Sequence, residues 1–410
     1  MTDAVSAFSA PQGDPVLAFD ALTPEIMRDR GSLKWVMHDG DVIGAWVAEM
    51  DLGTAPAVTE VLRRAVEDGT LGYMPTGVGE AAREAVAAFQ ERAFGWRVPV
   101  EDVSLLPNVL SALEAVIEHH TRPGSAVIVP TPAYMPFLSI PGRCGRECVQ
   151  VPARRGHDAA GRPVWDLDLD RIEAAMADGA GLLVLCNPWN PVGRVLSPAE
   201  LDAVAALSSR YRVPVFADEI HSPLVLDPAA VHTPYASRPA AEADLTFTAT
   251  AVSKGWNIPG LMCAQLIASG GARASWEASA PSAHLADETA ALGARAAAAA
   301  LTPAGLAWIR TVRSYIRGNA ELVAETLADV EGVELTAPAG TYLAWLDCSG
   351  LDLQGTAPAR FFRREPGVAM SPGAAFGRGY ERFCRLNLAM GRGVAAQATA
   401  RIAQAVADLG

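Results

Sequence analysis

Short runs that are apolar at every position alternate with longer stretches in which apolar residues recur every three or four positions. Strands that are apolar on both faces are typical of a parallel sheet covered by helices on both sides. The pattern therefore predicts an α/β fold with a mostly parallel central sheet. The expected strands are 103–106, 126–130, 182–186, 213–217 and 245–250, and the expected helices between them are 111–120, 167–177 and 198–211.

The pattern changes after residue 302. A long helical stretch at 303–330 is followed by two short apolar runs that would pair antiparallel, 333–335 and 342–346, and by a closing helix at 394–409. We expect a smaller α+β domain at 301–410, a large domain at 51–300 and an N-terminal segment at 1–50 that packs on the small domain.

Composition and charge narrow the class of protein. Half of the 410 residues are hydrophobic and 19% are charged, which excludes a disordered chain. The net charge of -13 argues against nucleic-acid and anionic-membrane partners. The six cysteines fit neither a disulfide framework nor a zinc site, so we predict no metal. No targeting signal is recognisable at residues 1–15, and the apolar runs are too short to span a bilayer. We expect a cytoplasmic protein with reduced thiols.

Three polar side chains follow the last three strands of the predicted sheet, where open parallel sheets hold their ligands. Asn190 follows the third strand, Asp218 the fourth, with His221 three residues later, and Lys254 follows the fifth. Taken singly, Asn190 also fits a turn, Asp218 a helix cap and His221 an ordinary histidine. Lys254, between small residues just past a strand, is oddly placed for a solvated ammonium. A desolvated lysine beside other cations has a lowered pKa and becomes a nucleophile.

The order and spacing of these residues carry more information than each one alone. Asn190, Asp218 and Lys254 stand 28 and 36 residues apart, and Arg385 follows 131 residues later. Further motifs are RGSLKW at 30–35, AWVAEMD at 45–51, LGY at 71–73, PAYMPF at 132–137, DEIHS at 218–222, SK at 253–254, NIPGL at 257–261, GTYLAWLD at 340–347 and RLN at 385–387. From about Phe19 onward the chain resembles the fold-type I enzymes of pyridoxal 5′-phosphate (PLP), the aspartate aminotransferase superfamily. Within it, the chain is most similar to the MalY/PatB-like carbon–sulfur β-lyases, which include cystathionine β-lyases.

The resemblance implies PLP as the cofactor and gives the strand-end residues their roles. Lys254 would carry the cofactor covalently and then act as the base for the substrate's α-proton. Asp218 would keep the ring nitrogen protonated, because the electron-withdrawing power of PLP depends on that proton. Asn190 and His221 would hydrogen-bond the phenolic oxygen, and Tyr134 would stack on the ring.

The resemblance also implies a phosphate site and a shared homodimer. The backbone N–H groups of Val109 and Leu110, at a helix start, would bind the phosphate, and Ser253 would add a hydroxyl. Tyr73 would reach the phosphate from the neighbouring subunit. The implied catalytic residues are Lys254, Tyr134 and Tyr73.

At the substrate end, Arg385 would clamp the carboxylate of a small amino-acid substrate, beside Asn190 and Val47. The favoured activity is β-elimination from an S-substituted cysteine, releasing thiol, ammonia and pyruvate. An aminotransferase would need the same residues, and a regulatory role through a protein partner is a third hypothesis. No early G-x-G-x-x-G motif supports a dinucleotide-binding enzyme.

Several residues depart from the family's usual pattern. Asn108 replaces a glycine at the phosphate loop, and Ala251 removes a hydroxyl three residues before the lysine. The other departures are Glu49, Leu52, Gly255 and Trp256. They are consistent with a specialised pathway enzyme for an unusual sulfur-conjugated amino acid, or with other PLP chemistry on the same scaffold.

Overall fold

A computed structural model describes residues 14–409, and residues 1–13 and 410 lie outside the described residues. Most of the stretch 1–15, for which we predict no targeting signal, is therefore outside them. The strands are β1 (Ile43–Gly44), β2 (Val103–Leu106), β3 (Val127–Thr131), β4 (Cys148–Pro152), β5 (Arg154–His157), β6 (Pro163–Asp166), β7 (Leu182–Cys186), β8 (Val215–Asp218), β9 (Thr246–Thr250), β10 (Ala264–Ile267), β11 (Glu334–Thr336), β12 (Leu343–Asp347), β13 (Val368–Ala369), β14 (Ser371–Pro372) and β15 (Phe383–Asn387). The helices are α1 (Pro15–Asp20), α2 (Pro24–Arg30), α3 (Leu33–Val36), α4 (Pro56–Glu67), α5 (Thr76–Phe94), α6 (Val109–His119), α7 (Met135–Arg143), α8 (Leu169–Ala177), α9 (Pro198–Tyr211), α10 (Gly270–Ala278), α11 (Ala280–His284), α12 (Ala291–Ala300), α13 (Pro303–Leu327), α14 (Pro358–Arg364) and α15 (Arg392–Ala407).

The large sheet has seven strands in the order β2-β10-β9-β8-β7-β3-β4. Strand β10 runs antiparallel to both of its neighbours, and all other pairs are parallel. In the register, Cys186 pairs with Asp218, and Asp218 pairs with Ala249. The carboxyl ends of β7, β8 and β9 therefore meet at one edge, and the predicted fold class is confirmed.

Helices cover both faces of this sheet, as the continuous apolar runs require. On β7, Leu183 and Leu185 belong to one hydrophobic core, formed with α8 and α9. Leu182 and Val184 point the other way, into a core formed with α6 and α7. Because successive strand residues alternate between faces, a strand buried on both sides must be apolar throughout.

The second sheet is antiparallel and has the order β11-β12-β15-β14. The two strands predicted to pair antiparallel do so as β11 and β12. The N-terminal segment joins this part of the molecule because β1 pairs with β13, and Trp35 and Ile43 share a core with Leu386 and Ile402. Strand β15 carries Arg385, whose guanidinium donates to Asn190, a residue that follows β7 of the large sheet.

Residues 14–409 contain neither a single membrane-spanning helix nor a metal-binding cluster. No single helix is long and apolar enough to cross a membrane; α12 and α13 meet the length and composition test only as a pair, and they are bent by 75°. No group of three or more His, Cys, Asp or Glu side chains suited to a metal ion occurs in residues 14–409.

Candidate active site

The three strand-end residues line one cavity. Its volume is about 170 Å³, and it opens at the carboxyl edge of β7, β8 and β9. Asn190, Asp218 and Lys254 therefore come together as the sequence predicted. The lining consists of Ala48, Pro107, Asn108, Val109, Leu110, Tyr134, Phe137, Asn190, Asp218, Ile220, His221, Ala251, Ser253, Lys254, Pro259, Cys263 and Ala264.

Asp218 is a buried carboxylate at the end of β8, 4% exposed. It accepts a hydrogen bond from the backbone N–H of Ile220 at 3.2 Å, and the thiol of Cys186 lies 3.7 Å from its other oxygen. Within residues 14–409 it forms no ion pair. Burial raises the pKa of Asp218 to about 6, against the opposing effect of the Ile220 hydrogen bond. A carboxylate in this position is suited to a cationic ligand group.

Lys254 follows β9 and points its amine towards the N-terminal segment. Its Nζ donates to the carbonyl oxygen of Ala48 at 3.0 Å, and it forms no ion pair in the described part of the chain. Burial, and after it the charge of Arg385, lowers the pKa of Lys254 from 10.5 to about 8. A substantial fraction of the amine is therefore neutral, and able to attack a carbonyl carbon, near neutral pH.

Two rings flank these groups. His221 is buried, and its Nδ1 has no hydrogen-bond partner among the described residues. Burial, followed by the charge of Lys254, lowers the pKa of His221 to about 3, so the ring is neutral. Tyr134 is the N-cap residue of α7, and burial raises the pKa of its hydroxyl. A neutral imidazole and a protonated phenol can each donate one hydrogen bond to a ligand.

Arg385 is a buried cation on β15, 2% exposed, and its hydrogen-bond partners among residues 14–409 are neutral oxygens. Its Nη1 donates to Asn190 Oδ1 at 3.0 Å, and its Nη2 donates to the carbonyl oxygen of Trp46 at 3.0 Å and to Ser371 Oγ at 3.2 Å. Its guanidinium also lies 4.9 Å from the ring centroid of Phe376. Burial lowers the pKa of Arg385 to about 10. No carboxylate of residues 14–409 neutralises this charge, which suits Arg385 to binding a carboxylate.

The start of α6 forms another part of the wall. Asn108 is the N-cap, and its Oδ1 accepts from the N–H of Ser111 at 3.0 Å. The N–H groups of Val109 and Leu110 have no acceptor within the helix, as at every helix start. Together with the hydroxyl of Ser253, they offer donors to an anion.

Three of the predicted site residues, Tyr73, Val47 and Arg385, are not part of the cavity lining of this chain. Arg385 contacts the lining through Asn190. Tyr73 is fully exposed, on the turn before α5. The backbone oxygen of Val47 accepts from Asn387 Nδ2 at 2.6 Å, and the Val47 side chain is not part of the lining. Their roles stay predictions, and that of Tyr73 needs a second subunit.

Sequence reasoning missed two groups at this site. The carbonyl oxygen of Ala48 holds Lys254 and also accepts from the hydroxyl of Tyr342 at 2.9 Å. A backbone oxygen leaves no trace in side-chain identities. Tyr342 lies within the GTYLAWLD motif, so its position, although not its role, was available from the sequence.

Known proteins show the same architecture. The family model described as aminotransferase class I and II matches residues 42–402. A cystathionine beta-lyase of Corynebacterium glutamicum is 37% identical, covering 92% of this chain and 98% of that protein. The solved structure of a putative PLP-dependent beta-cystathionase from Corynebacterium diphtheriae superposes with a TM-score of 0.86 at 35% identity, covering 94% of this chain and 98% of the other. Cystalysin from Treponema denticola, whose structure contains PLP, gives a TM-score of 0.82 at 26% identity, covering 93% and 97% of the two chains.

The fold and the strand-edge cavity thus define a fold-type I enzyme. The chain belongs to the aminotransferase class I and II family. The cavity also fits PLP on its own chemistry. A protonated ring nitrogen would pair with the carboxylate of Asp218. The phenolic oxygen would accept a hydrogen bond from His221 Nδ1, which has no partner among the described residues, when that nitrogen carries the ring proton. A phosphate suits the N–H groups at the start of α6.

Proposed function

We propose that this protein is a PLP-dependent carbon–sulfur β-lyase acting on an S-substituted cysteine. The observation that carries the proposal is that Asp218, a buried carboxylate with no ion-pair partner in residues 14–409, shares one cavity with Lys254, whose pKa is lowered. The names of the relatives, a cystathionine beta-lyase and a beta-cystathionase, support elimination at Cβ as the outcome.

Residues of this chain would hold the cofactor at four parts of the PLP molecule. Lys254 would bind it covalently, and Asp218 would hold the proton on its ring nitrogen. Asn190 and His221 would contact the phenolic oxygen, with Tyr134 against the ring. The phosphate would lie at Val109, Leu110 and Ser253. Bound PLP supplies an electron sink that stabilises negative charge at the substrate's Cα.

Arg385 would orient the substrate. Its planar fork pairs with a carboxylate through two parallel hydrogen bonds, and Asn190 already fixes one of its nitrogens. The carboxylate would fix the amino acid so that its Cα–H bond faces the amine of Lys254. Val47, on the adjoining segment, is proposed as a substrate neighbour.

Lys254 would then move the protons. Its amine, freed by the incoming substrate, takes the α-proton. The electron pair of the Cα–H bond forms the Cα=Cβ bond, and the Cβ–S bond breaks to release a thiolate. The ammonium of Lys254 formed in this way would then return a proton to the leaving sulfur. Water completes the reaction, so that one S-substituted cysteine gives one thiol, one ammonia and one pyruvate.

We further propose a homodimer with shared active sites. Tyr73 is fully exposed, and the neighbouring Leu71 is 57% exposed, so this turn presents apolar surface to solvent in the single chain. A two-fold partner that brings Tyr73 to the opposite phosphate site would cover that surface.

The deciding experiment is a product analysis. The PLP-loaded protein is incubated with L-cystathionine and a set of S-substituted cysteines, and thiol, pyruvate and pyridoxamine phosphate are measured together. A lyase gives thiol and pyruvate in equal amounts. Keto acid formed together with pyridoxamine phosphate and without thiol would instead establish the aminotransferase.

A further inference from the structure

Two side chains donate to one backbone oxygen at the edge of the cavity. Lys254 Nζ lies 3.0 Å from the carbonyl oxygen of Ala48, and the hydroxyl of Tyr342 lies 2.9 Å from the same atom. A carbonyl oxygen has two lone pairs, so it accepts both donors at once. Through this atom the lysine is connected to Tyr342, the residue just before β12.

Tyr342 is well placed to be a fixed donor. Its side chain is 1% exposed, and burial raises the pKa of its hydroxyl, which keeps its proton. The ring meets His221 edge-on with 6.2 Å between centroids. The Tyr342 carbonyl oxygen accepts from the N–H of Leu388, just beyond β15. A buried tyrosine hydroxyl normally has some partner; here the partner is the oxygen that also holds Lys254.

The chemical type of that partner matters for the lysine. A carboxylate within hydrogen-bond distance would favour the ammonium form and raise the pKa of Lys254. A carbonyl is neutral and directs the amine with a weaker preference for the charged form. Among residues 14–409, Ala48 O is the hydrogen-bond acceptor found for Lys254.

The carbonyl itself lies in a segment without regular secondary structure, so side chains must set its direction. Asn387 Nδ2 pins the carbonyl oxygens on either side, donating to Val47 at 2.6 Å and to Glu49 at 2.7 Å. Tyr342 pins the Ala48 oxygen directly. When the lysine amine leaves this oxygen to react, the tyrosine still holds the oxygen in place.

We infer that Tyr342 is a positioning residue for Lys254: it fixes the Ala48 oxygen as the acceptor that aims the free amine at the substrate's α-proton. The inference rests on the proposed role of Lys254 as the cofactor lysine. It does not depend on whether the reaction ends in elimination or in transamination, because both begin with removal of that proton.

The test compares Tyr342→Phe with Tyr380→Phe. Tyr380 is a matched control because it is also buried and its hydroxyl also donates to a backbone oxygen, that of Thr131, at 2.8 Å. Two rates are measured: capture of PLP by the cofactor-free protein, followed by visible absorption, and exchange of the α-proton of L-alanine with solvent deuterium, followed by NMR. Alanine has no leaving group, so the exchange does not require β-elimination.

Tyr342→Phe should slow both rates about tenfold, the scale expected for one lost hydrogen bond at a reacting group. Half-saturation by alanine should stay within about twofold, since Arg385 is untouched. Tyr380→Phe should change neither rate. Unchanged rates in Tyr342→Phe, equal losses in both variants, or a raised half-saturation with unchanged maximal exchange would each overturn the inference. If the unsubstituted protein captures PLP but exchanges no α-proton, the proposed function fails, and the capture rates alone then decide the role of Tyr342.

Discussion

The two ends of the site, each proposed to bind an anion, do so by different physical means. At the start of α6 the donors are backbone N–H groups, and apart from Lys254 no lysine or arginine side chain of residues 14–409 lines the cavity. At the other end a full charge, Arg385, is buried among neutral oxygens, and its pKa falls to about 10. Backbone donors survive any substitution except proline, whereas the guanidinium end depends on a single residue. The phosphate end should therefore tolerate substitutions that the carboxylate end does not.

The largest expected effect comes from the residue between the two ends. Lys254→Ala should abolish turnover and the visible absorption of the lysine-bound cofactor, because no other amine lines the cavity in the described residues. Both anion ends should still bind their groups, so free PLP should be retained weakly. A variant that stays yellow, and is labelled at another lysine after borohydride reduction, would contradict the assignment.

Arg385→Ala should show how vulnerable the carboxylate end is. Removing one partner of a buried, hydrogen-bonded charge pair costs about 2–5 kcal/mol, so amino-acid binding should weaken at least about 30-fold. The cofactor spectrum should hardly change. Arg385→Lys keeps the charge but loses the fork, and should lie between the two. Wild-type affinity in Arg385→Ala would remove this residue from the substrate site.

A mixed dimer tests whether the phosphate end is completed by a second subunit. One chain carries Lys254→Ala and the other Tyr73→Ala, and the two are co-expressed. Random mixing makes about half of the dimers mixed, each with one intact site in two, so about a quarter of wild-type activity should return. Both parents must be severely impaired and mixed dimers must be confirmed by mass. No recovery under those conditions would mean that Tyr73 does not act across an interface.

Asn108→Ala should have a smaller effect at the phosphate end. Loss of an N-cap typically costs about 1 kcal/mol, which corresponds to roughly fivefold weaker PLP binding if the cap orders the donors of α6. Thr302→Ala is the matched control, since Thr302 caps the remote helix α13 by accepting from the N–H of Gly305. It should lower stability similarly and leave PLP affinity unchanged. Equal PLP affinity in both variants would exclude a role for the cap in phosphate binding.

The smallest expected effect is a shift in the pH dependence of PLP capture, because the pKa of Lys254 depends on the charge of Arg385. Capture of PLP by the cofactor-free protein requires the neutral amine of Lys254, so its rate should rise with pH around a midpoint near 8. Arg385 disfavours the ammonium form, so Arg385→Ala should move the midpoint upward, and Arg385→Lys should move it much less. A midpoint near 10.5 in the unsubstituted protein would show that burial does not act on this lysine.

The parts of the site that directly follow a strand could be predicted from the sequence. Asn190, Asp218 and Lys254 were found because continuous apolar runs mark strands, and a polar side chain just beyond such a run stands out. Strands β4 and β10 were missed because Gln150 and Gln265 interrupt their apolar pattern.

Other features had no signal of this kind. The Ala48 oxygen belongs to an irregular segment whose placement depends on partners hundreds of residues away, so neither pattern nor propensity could locate it. The domain boundaries at residues 50 and 300, the shared dimer and the cytoplasmic location stay predictions.

The pinning of the segment 46–49 has a consequence for the newly made chain. Val47 and its partner Asn387 are 340 residues apart, so the segment leaves the ribosome long before its anchor exists. At about 5–20 residues per second, the wait is on the order of 20–70 s. During that time the core that contains Trp35 and Ile43 lacks Leu386 of β15. The segment 46–49 therefore reaches its final packing only after β15 has been synthesised.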